Sequence, residues 1–242
     1  MFGTPLAPHY LSLLLDGFLM SLGLALLSCL LATLIGAPLT IARLARSRWC
    51  AWPARAYLAL FRNTPLLVQL FFWYFGVPAL LPEELVTWLN TPHEGVLAGL
   101  ALAWPSFEFL SGVLGLTLYT SAFVAEELRA GIASVRPEQR AAGLALGLRP
   151  AQVWRLVVLP QALRTALPPL LGQYMNALKN SSLTMAIGLA ELSYASRQVE
   201  TETFKTFQAF GVATVLYIAA IALIEAFGQL MQHSRRYRQG GA

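Results

Sequence analysis

Lys179 is the residue most clearly suited to binding a ligand, because it lies in an otherwise apolar stretch among amide and hydroxyl groups. Those groups belong to Asn176, Asn180, Ser181 and Ser182. A helix beginning at Ala166 would carry Lys179 about 20 Å along its axis, well inside a bilayer, where lysine is costly and usually faces a cavity or a charged partner. It could attract an anionic group in a pore. An ion pair with Glu225, on the last apolar run, is the alternative.

A second polar interruption of an apolar run begins at Arg62 and continues through Asn63 and Thr64 to Gln69. A cation at the bilayer centre costs about 2.5 to 3.5 kcal/mol on insertion scales. Arg62 must therefore face protein or water. It either snorkels or pairs with a carboxylate, or it contacts solute directly on a substrate path that includes all four residues.

Residues 138–160 form a basic, mildly amphipathic segment between apolar runs. Glu138 suits the first turn of a helix, Gly147 suits the left-handed position that ends one, and Pro150 suits the first turn of a second helix. Pro160 is expected to end or kink that second helix. Such an elbow, on the wet side of a membrane protein, is expected to be a docking surface.

The composition is that of an integral membrane protein. Hydrophobic residues make up 57% of the 242-residue chain and charged residues only 12%, which is too apolar for an ordinary soluble domain. The apolar runs predict an all-α fold with five crossings, at about 18–44, 55–80, 107–129, from near 166, and 207–231. The net charge of +5 comes from arginines beside the ends of these runs, a pattern that reports orientation in the bilayer and not nucleic-acid binding.

One membrane domain is expected at 18–231, between an N-terminal periplasmic or interfacial segment (1–17) and a basic cytoplasmic tail (232–242). The first 42 residues contain no lysine or arginine. The charged front of a cleavable signal peptide is therefore absent, and the N-terminus is expected to face outward. The arginine-rich C-terminus is expected in the cytoplasm.

Two acidic segments are expected on the outer face. Residues 81–106 carry three glutamates and no lysine or arginine, which predicts an outer loop that is partly helical and dips back into the membrane at 95–104. Residues 191–205 predict a mixed polar loop on the same face.

The sequence lacks the residues for ATP hydrolysis. Its only lysines are Lys179 and Lys205, and neither completes the G-x-x-x-x-G-K-[ST] loop that binds nucleotide phosphates. The H-E-x-x-H, G-x-S-x-G and paired-cysteine patterns are also missing. The chain is therefore not expected to be an enzyme, and no catalytic, cofactor-binding or metal-binding residue is predicted. Energy must come from another polypeptide.

The elbow resembles the cytoplasmic signature of permease subunits from bacterial ATP-binding-cassette (ABC) importers. That signature is E-A-A, three residues, G, nine residues, I-x-L-P, and its spacing is matched by Ala141-Ala142-Gly143, Gly147 and Val157-Val158-Leu159-Pro160. Ala141 replaces the signature glutamate, and Glu138 lies almost one turn upstream. The resemblance implies a type I importer permease fold in which Gly147 closely approaches a cleft of the ATPase. The implied coupling residues are Glu138, Ala141, Ala142, Gly143, Gly147, Leu148, Leu159 and Pro160.

Two further strings resemble permeases for polar amino acids. The string from Phe61 to Gln69 repeats theirs with Asn63 in place of glycine, and LKNSSLTMAIGLAEL at 178–192 looks like the glutamate/aspartate branch. This resemblance implies uptake of an acidic amino acid, with Arg62 and Lys179 supplying matched positive charge. A permease for glutamine or another polar amino acid, and an ATP-independent channel, are the alternatives.

The resemblance also implies an assembly in the bacterial inner membrane that works by alternating access. Its other parts would be a dimer of ATP-binding subunits, which binds ATP and magnesium, and a second permease that is identical or paralogous. A periplasmic or lipid-anchored solute-binding protein would deliver the amino acid. This chain itself would hold no cofactor.

Overall fold

The computed structural model describes residues 6–91, 93–97 and 100–237, which are helical apart from one short hairpin. The elements, in chain order, are α1 (Pro8–Leu44), α2 (Arg48–Asn63), α3 (Leu66–Phe71), α4 (Glu83–Asn90), β1 (Glu94–Leu97), β2 (Leu100–Ala103), α5 (Phe107–Ala133), α6 (Pro137–Ala145), α7 (Pro150–Val153), α8 (Leu159–Asn180), α9 (Leu192–Thr203) and α10 (Thr206–Tyr237). A π turn (Phe72–Gly76) and a 3₁₀ turn (Pro78–Leu80) extend α3. A π turn (Trp154–Val158) precedes α8, and a 3₁₀ helix (Ser181–Ile187) follows it.

Among the described residues, α1, α5 and the stretch Thr206–Leu230 of α10 are long and apolar enough to cross a membrane. The 37 residues of α1 extend about 55 Å, and this helix begins at Pro8, ahead of the span predicted from residue 18. The predicted second span corresponds to a segmented path through α2 and α3, and the fourth to α8 with its 3₁₀ extension. The number of crossings and the orientation of the termini remain predictions.

The segment predicted to dip into the membrane at 95–104 contains the β1–β2 hairpin, and its position relative to the membrane stays a prediction. Its antiparallel register pairs Glu94 with Ala103 and Leu97 with Leu100. The amide of Trp104 also donates to the carbonyl of His93 (2.9 Å). Backbone groups are thus satisfied between the two strands, so the segment forms a local hairpin.

The polar loop predicted at 191–205 is wrong, because most of it forms α9. Leu192, Ala195 and Val199 recur on one face of this helix and are buried, which is the periodicity of an amphipathic helix. The polar residues between them, and the glutamates that follow, mask this pattern in the sequence. Phe204 ends the helix in a left-handed conformation (φ 56°).

The described chain divides into two compact units. The first comprises Met1–Ser28, Thr64–Leu118 and Ala177–Ala219. Its core is a cluster contributed by α1, α9 and α10, together with Leu6, which lies two residues before α1. The buried members are Leu6, Leu14, Leu192, Ala195, Val199, Ala209 and Ala213.

The second unit comprises Cys29–Asn63, Tyr119–Asn176 and Ala220–Ala242. Its buried core residues include Ala32, Val124, Ala166 and Leu170. Helices α5 and α8 approach closely at Gly131, where an added Cβ would lie 2.5 Å from the carbonyl oxygen of Ala162. Small residues at such crossings let membrane helices pack through their backbones.

Candidate functional site

The elbow predicted between residues 138 and 160 begins with a helix that ends in a Schellman motif. The amide of Gly147 donates to the Leu144 carbonyl (3.0 Å), and the amide of Leu148 donates to the Gly143 carbonyl (3.2 Å). Gly147 has φ +81°, a left-handed conformation that costs an L-residue about 1 to 2 kcal/mol. The predicted role of Gly147 in ending the first helix is confirmed.

The second half of the elbow follows the prediction at Pro150, and a π turn directly precedes Pro160, where the sequence predicted an end or a kink. Pro150 begins α7, and the amide of Arg149 donates to the side chain of Gln152 (2.8 Å). The helix then widens into the π turn Trp154–Val158 and continues directly as α8. Pro160 therefore does not end the helix, because the wider turn before it gives the proline ring space that a regular helix lacks.

Gly143 makes the close contact inside the elbow. A Cβ added there would lie 3.1 Å from Cγ2 of Val153, whereas nothing lies within 4 Å of a Cβ added at Gly147. Val153 belongs to a buried cluster with Val158 and Ala162. The missing side chain at Gly143 thus lets α6 pack against the second helix. The approach of Gly147 to an ATPase stays a prediction.

The remainder of α6 and its C-terminal end form an exposed, partly apolar surface. Leu144 and Leu146 are 51% and 82% exposed, and Glu138, Ala141 and Ala142 are also exposed. Of the other predicted coupling residues, Leu148 is half-buried, and Leu159 and Pro160 are exposed. Exposed apolar side chains with a polar rim are typical of protein-binding surfaces.

Three arginines of the second unit surround Glu126, and we call these four residues the arginine cluster. Arg129 donates from Nε to Oε1 (3.0 Å), and Arg43 donates from Nη1 to Oε2. Nη1 of Arg62 lies 3.7 Å from Oε2, and its guanidinium lies 5.5 Å from the centroid of the Phe123 ring. Three cations around one carboxylate leave an excess of two positive charges. The pairing interpretation of Arg62 is thus observed, and its place on a substrate path stays a prediction.

The residues after Arg62 form a break between two helices. α2 ends at Asn63, which is exposed, and α3 begins after Pro65. Gln69 is buried, and its Nε2 donates to the carbonyl oxygen (3.1 Å) and the hydroxyl oxygen (2.7 Å) of Thr64. This side chain thus satisfies the Thr64 carbonyl at the break between the two helices.

Lys179 lies in the last turn of α8 and is exposed. A helix C-terminus favours a cation through the helix dipole. Ser181 Oγ donates to the Leu178 carbonyl, and Ser182 Oγ donates to the Lys179 carbonyl (2.7 Å each). These two hydroxyl groups therefore satisfy carbonyl groups at the end of α8, and the place of both serines on a substrate path stays a prediction.

The other polar groups of this segment differ in exposure. Asn176 is exposed and Asn180 is half-buried. Glu225, the alternative partner for the lysine, is exposed on α10 and accepts from Nε2 of Gln229 (3.4 Å). The role of Lys179 in binding an anion remains a prediction.

Glu191 is a fully buried carboxylate at a position where the sequence predicted an exposed loop. It caps α9 by accepting from the amide of Tyr194 (3.0 Å). Ser21 on α1 and Tyr217 on α10 donate to its Oε2 (3.1 and 3.0 Å). Burial raises the pKa of this carboxyl, because desolvation outweighs the hydrogen bonds that it accepts. One side chain thus joins three helices of the first unit.

Metal-ligating side chains do not converge in groups of three or more within the part of the chain that the structure describes. His93 packs beside Trp88 and Trp104, with ring centroids 4.8 and 5.7 Å away. Its Nε2 lies 2.8 Å from the carbonyl oxygen of Trp88. This histidine is part of an aromatic group.

Comparison with known proteins gives consistent matches along the chain. A family model described as "Binding-protein-dependent transport system inner membrane component" matches residues 32–237. The chain is 34% identical to the glutamate/aspartate import permease protein GltJ of Escherichia coli (strain K12), over 92% of this chain and 85% of that protein. It is 31% identical to the probable glutamine ABC transporter permease protein GlnM of Bacillus subtilis (strain 168), over 86% of each.

Solved structures share the arrangement of helices. The crystal structure of an amino acid ABC transporter with histidines matches with a TM-score of 0.78 at 27% identity, covering 93% of this chain and 95% of that one. An inward-facing structure of the MetNI methionine ABC transporter matches with a TM-score of 0.74 at 17% identity, covering 95% and 99%. The fold predicted from the elbow signature is confirmed.

Proposed function

Because the chain belongs to the family of binding-protein-dependent transport system inner membrane components, we propose that it imports the acidic amino acids glutamate and aspartate. It is a permease subunit of an amino-acid ABC importer, and a separate subunit hydrolyses ATP. The proposal has two further parts, namely coupling to the ATPase through residues 138–160 and a preference for an amino acid with a side-chain carboxylate. We also propose that the protein lies in the bacterial inner membrane.

The elbow is the observation that carries the coupling part of the proposal. Leu144 and Leu146 are exposed beside Glu138 on a helix whose end is fixed by the left-handed Gly147. A rigid tip with exposed apolar side chains suits insertion into a cleft of an ATPase subunit. Since α7 continues through the π turn into α8, a displacement of the tip would pass along one helical path.

Two features support an acidic solute. The relative at 34% identity carries the description glutamate/aspartate import permease. The arginine cluster and Lys179 also place cationic groups in a chain of which only 12% is charged. A solute carboxylate would gain charge-assisted hydrogen bonds that an amide does not. Glutamine is the second candidate, since a probable glutamine permease is 31% identical.

In the proposed mechanism, this chain pairs with a second permease, identical or paralogous, and each elbow docks on one subunit of an ATPase dimer. The dimer closes when it binds ATP and magnesium, and movement of the elbows opens the path outward. A solute-binding protein then delivers the amino acid. Arg62 would contact the side-chain carboxylate of the solute on its way inward.

Uptake by the complete importer in liposomes tests the proposal. The assembly contains this permease, its partner permease, the ATPase and the solute-binding protein, and uptake is measured for labelled glutamate, aspartate, glutamine, histidine and methionine with and without internal ATP. We expect ATP-dependent accumulation of glutamate and aspartate. Accumulation of glutamine alone would replace the substrate assignment, and equal uptake without ATP would refute coupling.

A matched pair of variants tests the elbow. Leu146 and Leu80 are 82% and 79% exposed, so their replacement by serine removes similar apolar surface at two places. We expect Leu146→Ser to weaken association with the ATPase and to slow uptake, and Leu80→Ser to leave association unchanged. Equal ATPase binding by the two variants would contradict the proposed docking.

A further inference from the structure

Glu126 engages the arginine cluster unevenly. Its Oε1 accepts from Arg129, which lies on the same helix, and its Oε2 faces both Arg43 and Arg62. The Arg43 contact is a hydrogen bond, whereas Nη1 of Arg62 stays 3.7 Å from Oε2, beyond the usual range for one. Arg62 is therefore the loosest of the three partners.

Arg62 has the geometry to accept a second carboxylate. Its guanidinium lies near the face of Phe123, and its side chain is 39% exposed. A guanidinium carries five N–H donors in one plane, which suit two-point binding of a carboxylate. Because the cluster has an excess of two positive charges, it would attract a second carboxylate even while Glu126 remains in place.

We propose that Glu126 is a specificity-determining residue that competes with the solute carboxylate for Arg62. In the empty permease, Glu126 partly neutralises the cluster. When an acidic solute arrives, its carboxylate binds Arg62 and Glu126 remains with Arg43 and Arg129. This exchange keeps the cluster from holding an anion so tightly that release becomes slow. The inference rests on the proposed function, since it assumes that the carboxylate which binds Arg62 is the side-chain carboxylate of an acidic amino acid.

Glutamate and glutamine make a matched ligand pair, because they differ by a carboxylate and an amide. Removing the competing charge with Glu126→Gln should strengthen glutamate binding and leave glutamine binding nearly unchanged. We expect the preference for glutamate over glutamine to rise about two- to fivefold, the range for a partly exposed ion pair. Arg62→Gln should move the preference in the opposite direction.

Glu127→Gln is the control, because it removes the same charge from the neighbouring position. Glu127 accepts from Nε2 of Gln173 (3.1 Å). The purified permease–ATPase complex, without binding protein, is titrated with L-glutamate and L-glutamine, and the shift in its unfolding temperature gives the half-saturating concentration of each. The same measurement reports whether each variant is folded.

The proposal predicts a higher glutamate preference for Glu126→Gln, a lower one for Arg62→Gln, and the wild-type value for Glu127→Gln. The proposal is overturned if the glutamate-to-glutamine preference ratio does not change, or if Glu126→Gln and Glu127→Gln change it equally. It is also overturned if neither the wild type nor Glu126→Gln responds to added glutamate. A purely structural role would lower the unfolding temperature without moving the ratio. If liposomes fail to accumulate glutamate while Glu126→Gln still shifts the ratio, the substrate assignment fails and this inference stands.

Discussion

Replacing Gly147, the left-handed residue at the end of α6, is the most direct test of the structure of the elbow. Gly147 has φ +81°, and nothing lies within 4 Å of a Cβ built on it. Gly147→Ala therefore creates no steric clash, and its cost is conformational, about 1 to 2 kcal/mol. That cost would shift the equilibrium between the closed elbow and its locally opened form by a factor of about 5 to 30. Gly147→Asn should cost less, because asparagine tolerates the left-handed region.

Hydrogen exchange at the amide of Leu148 measures this opening, since that amide donates to the Gly143 carbonyl in the closed elbow (3.2 Å). We expect exchange in Gly147→Ala to be about 5 to 30 times faster than in wild type, with Gly147→Asn in between. Gly172→Ala is the control, because this glycine also has open space around its Cβ but lies within α8 without a positive φ. The reasoning is refuted if Gly147→Ala exchanges at the wild-type rate, or if Gly172→Ala accelerates exchange at Leu148 equally.

Three further predictions address packing, buried polarity and the membrane lysine. Gly143→Ala places a Cβ 3.1 Å from Cγ2 of Val153 and should lower stability by about 1 kcal/mol; thermal unfolding should show partial recovery when Val153→Ala is added. Glu191→Ala removes the acceptor of one buried and one half-buried hydroxyl donor and should cost about 1 to 3 kcal/mol, more than Glu191→Gln; identical unfolding temperatures for the two variants would contradict this. Lys179→Ala should slow glutamate uptake more than it slows basal ATP hydrolysis, and unchanged uptake kinetics would make the lysine structural.

The outline of the elbow could be predicted because glycine and proline impose backbone requirements that a sequence shows directly. Gly147 has a conformation that other residues avoid, and Pro150 occupies the first turn of a helix where no amide donor is needed. The packing role of Gly143 could not be predicted in this way, because it depends on how α6 folds back on Val153. The π turn before Pro160 could not be predicted either, since it has no sequence signal.

Polar residues were predicted least well where their partners lie far away in the chain. Arg62 was correctly expected to need a partner, but only the packing of α1, α2 and α5 brings Arg43, Arg129 and Glu126 to one place. Glu191 appeared to belong to an exposed loop, because its neighbours are charged. The available signal was an acidic residue directly before an amphipathic run, the position of a helix cap, and burial by two other helices could not be inferred from it.

The π turn at Trp154–Val158 places one extra residue in the helical path between the elbow and α8. Each residue advances an α-helix by about 100° around its axis. The widened turn absorbs its extra residue locally, so deleting one residue here would restore regular winding and leave Leu146 at nearly its present azimuth. Inserting a further residue between Gly147 and Leu159 would rotate the tip by about 100°, so a single-residue insertion should be tolerated less well there than a single-residue deletion.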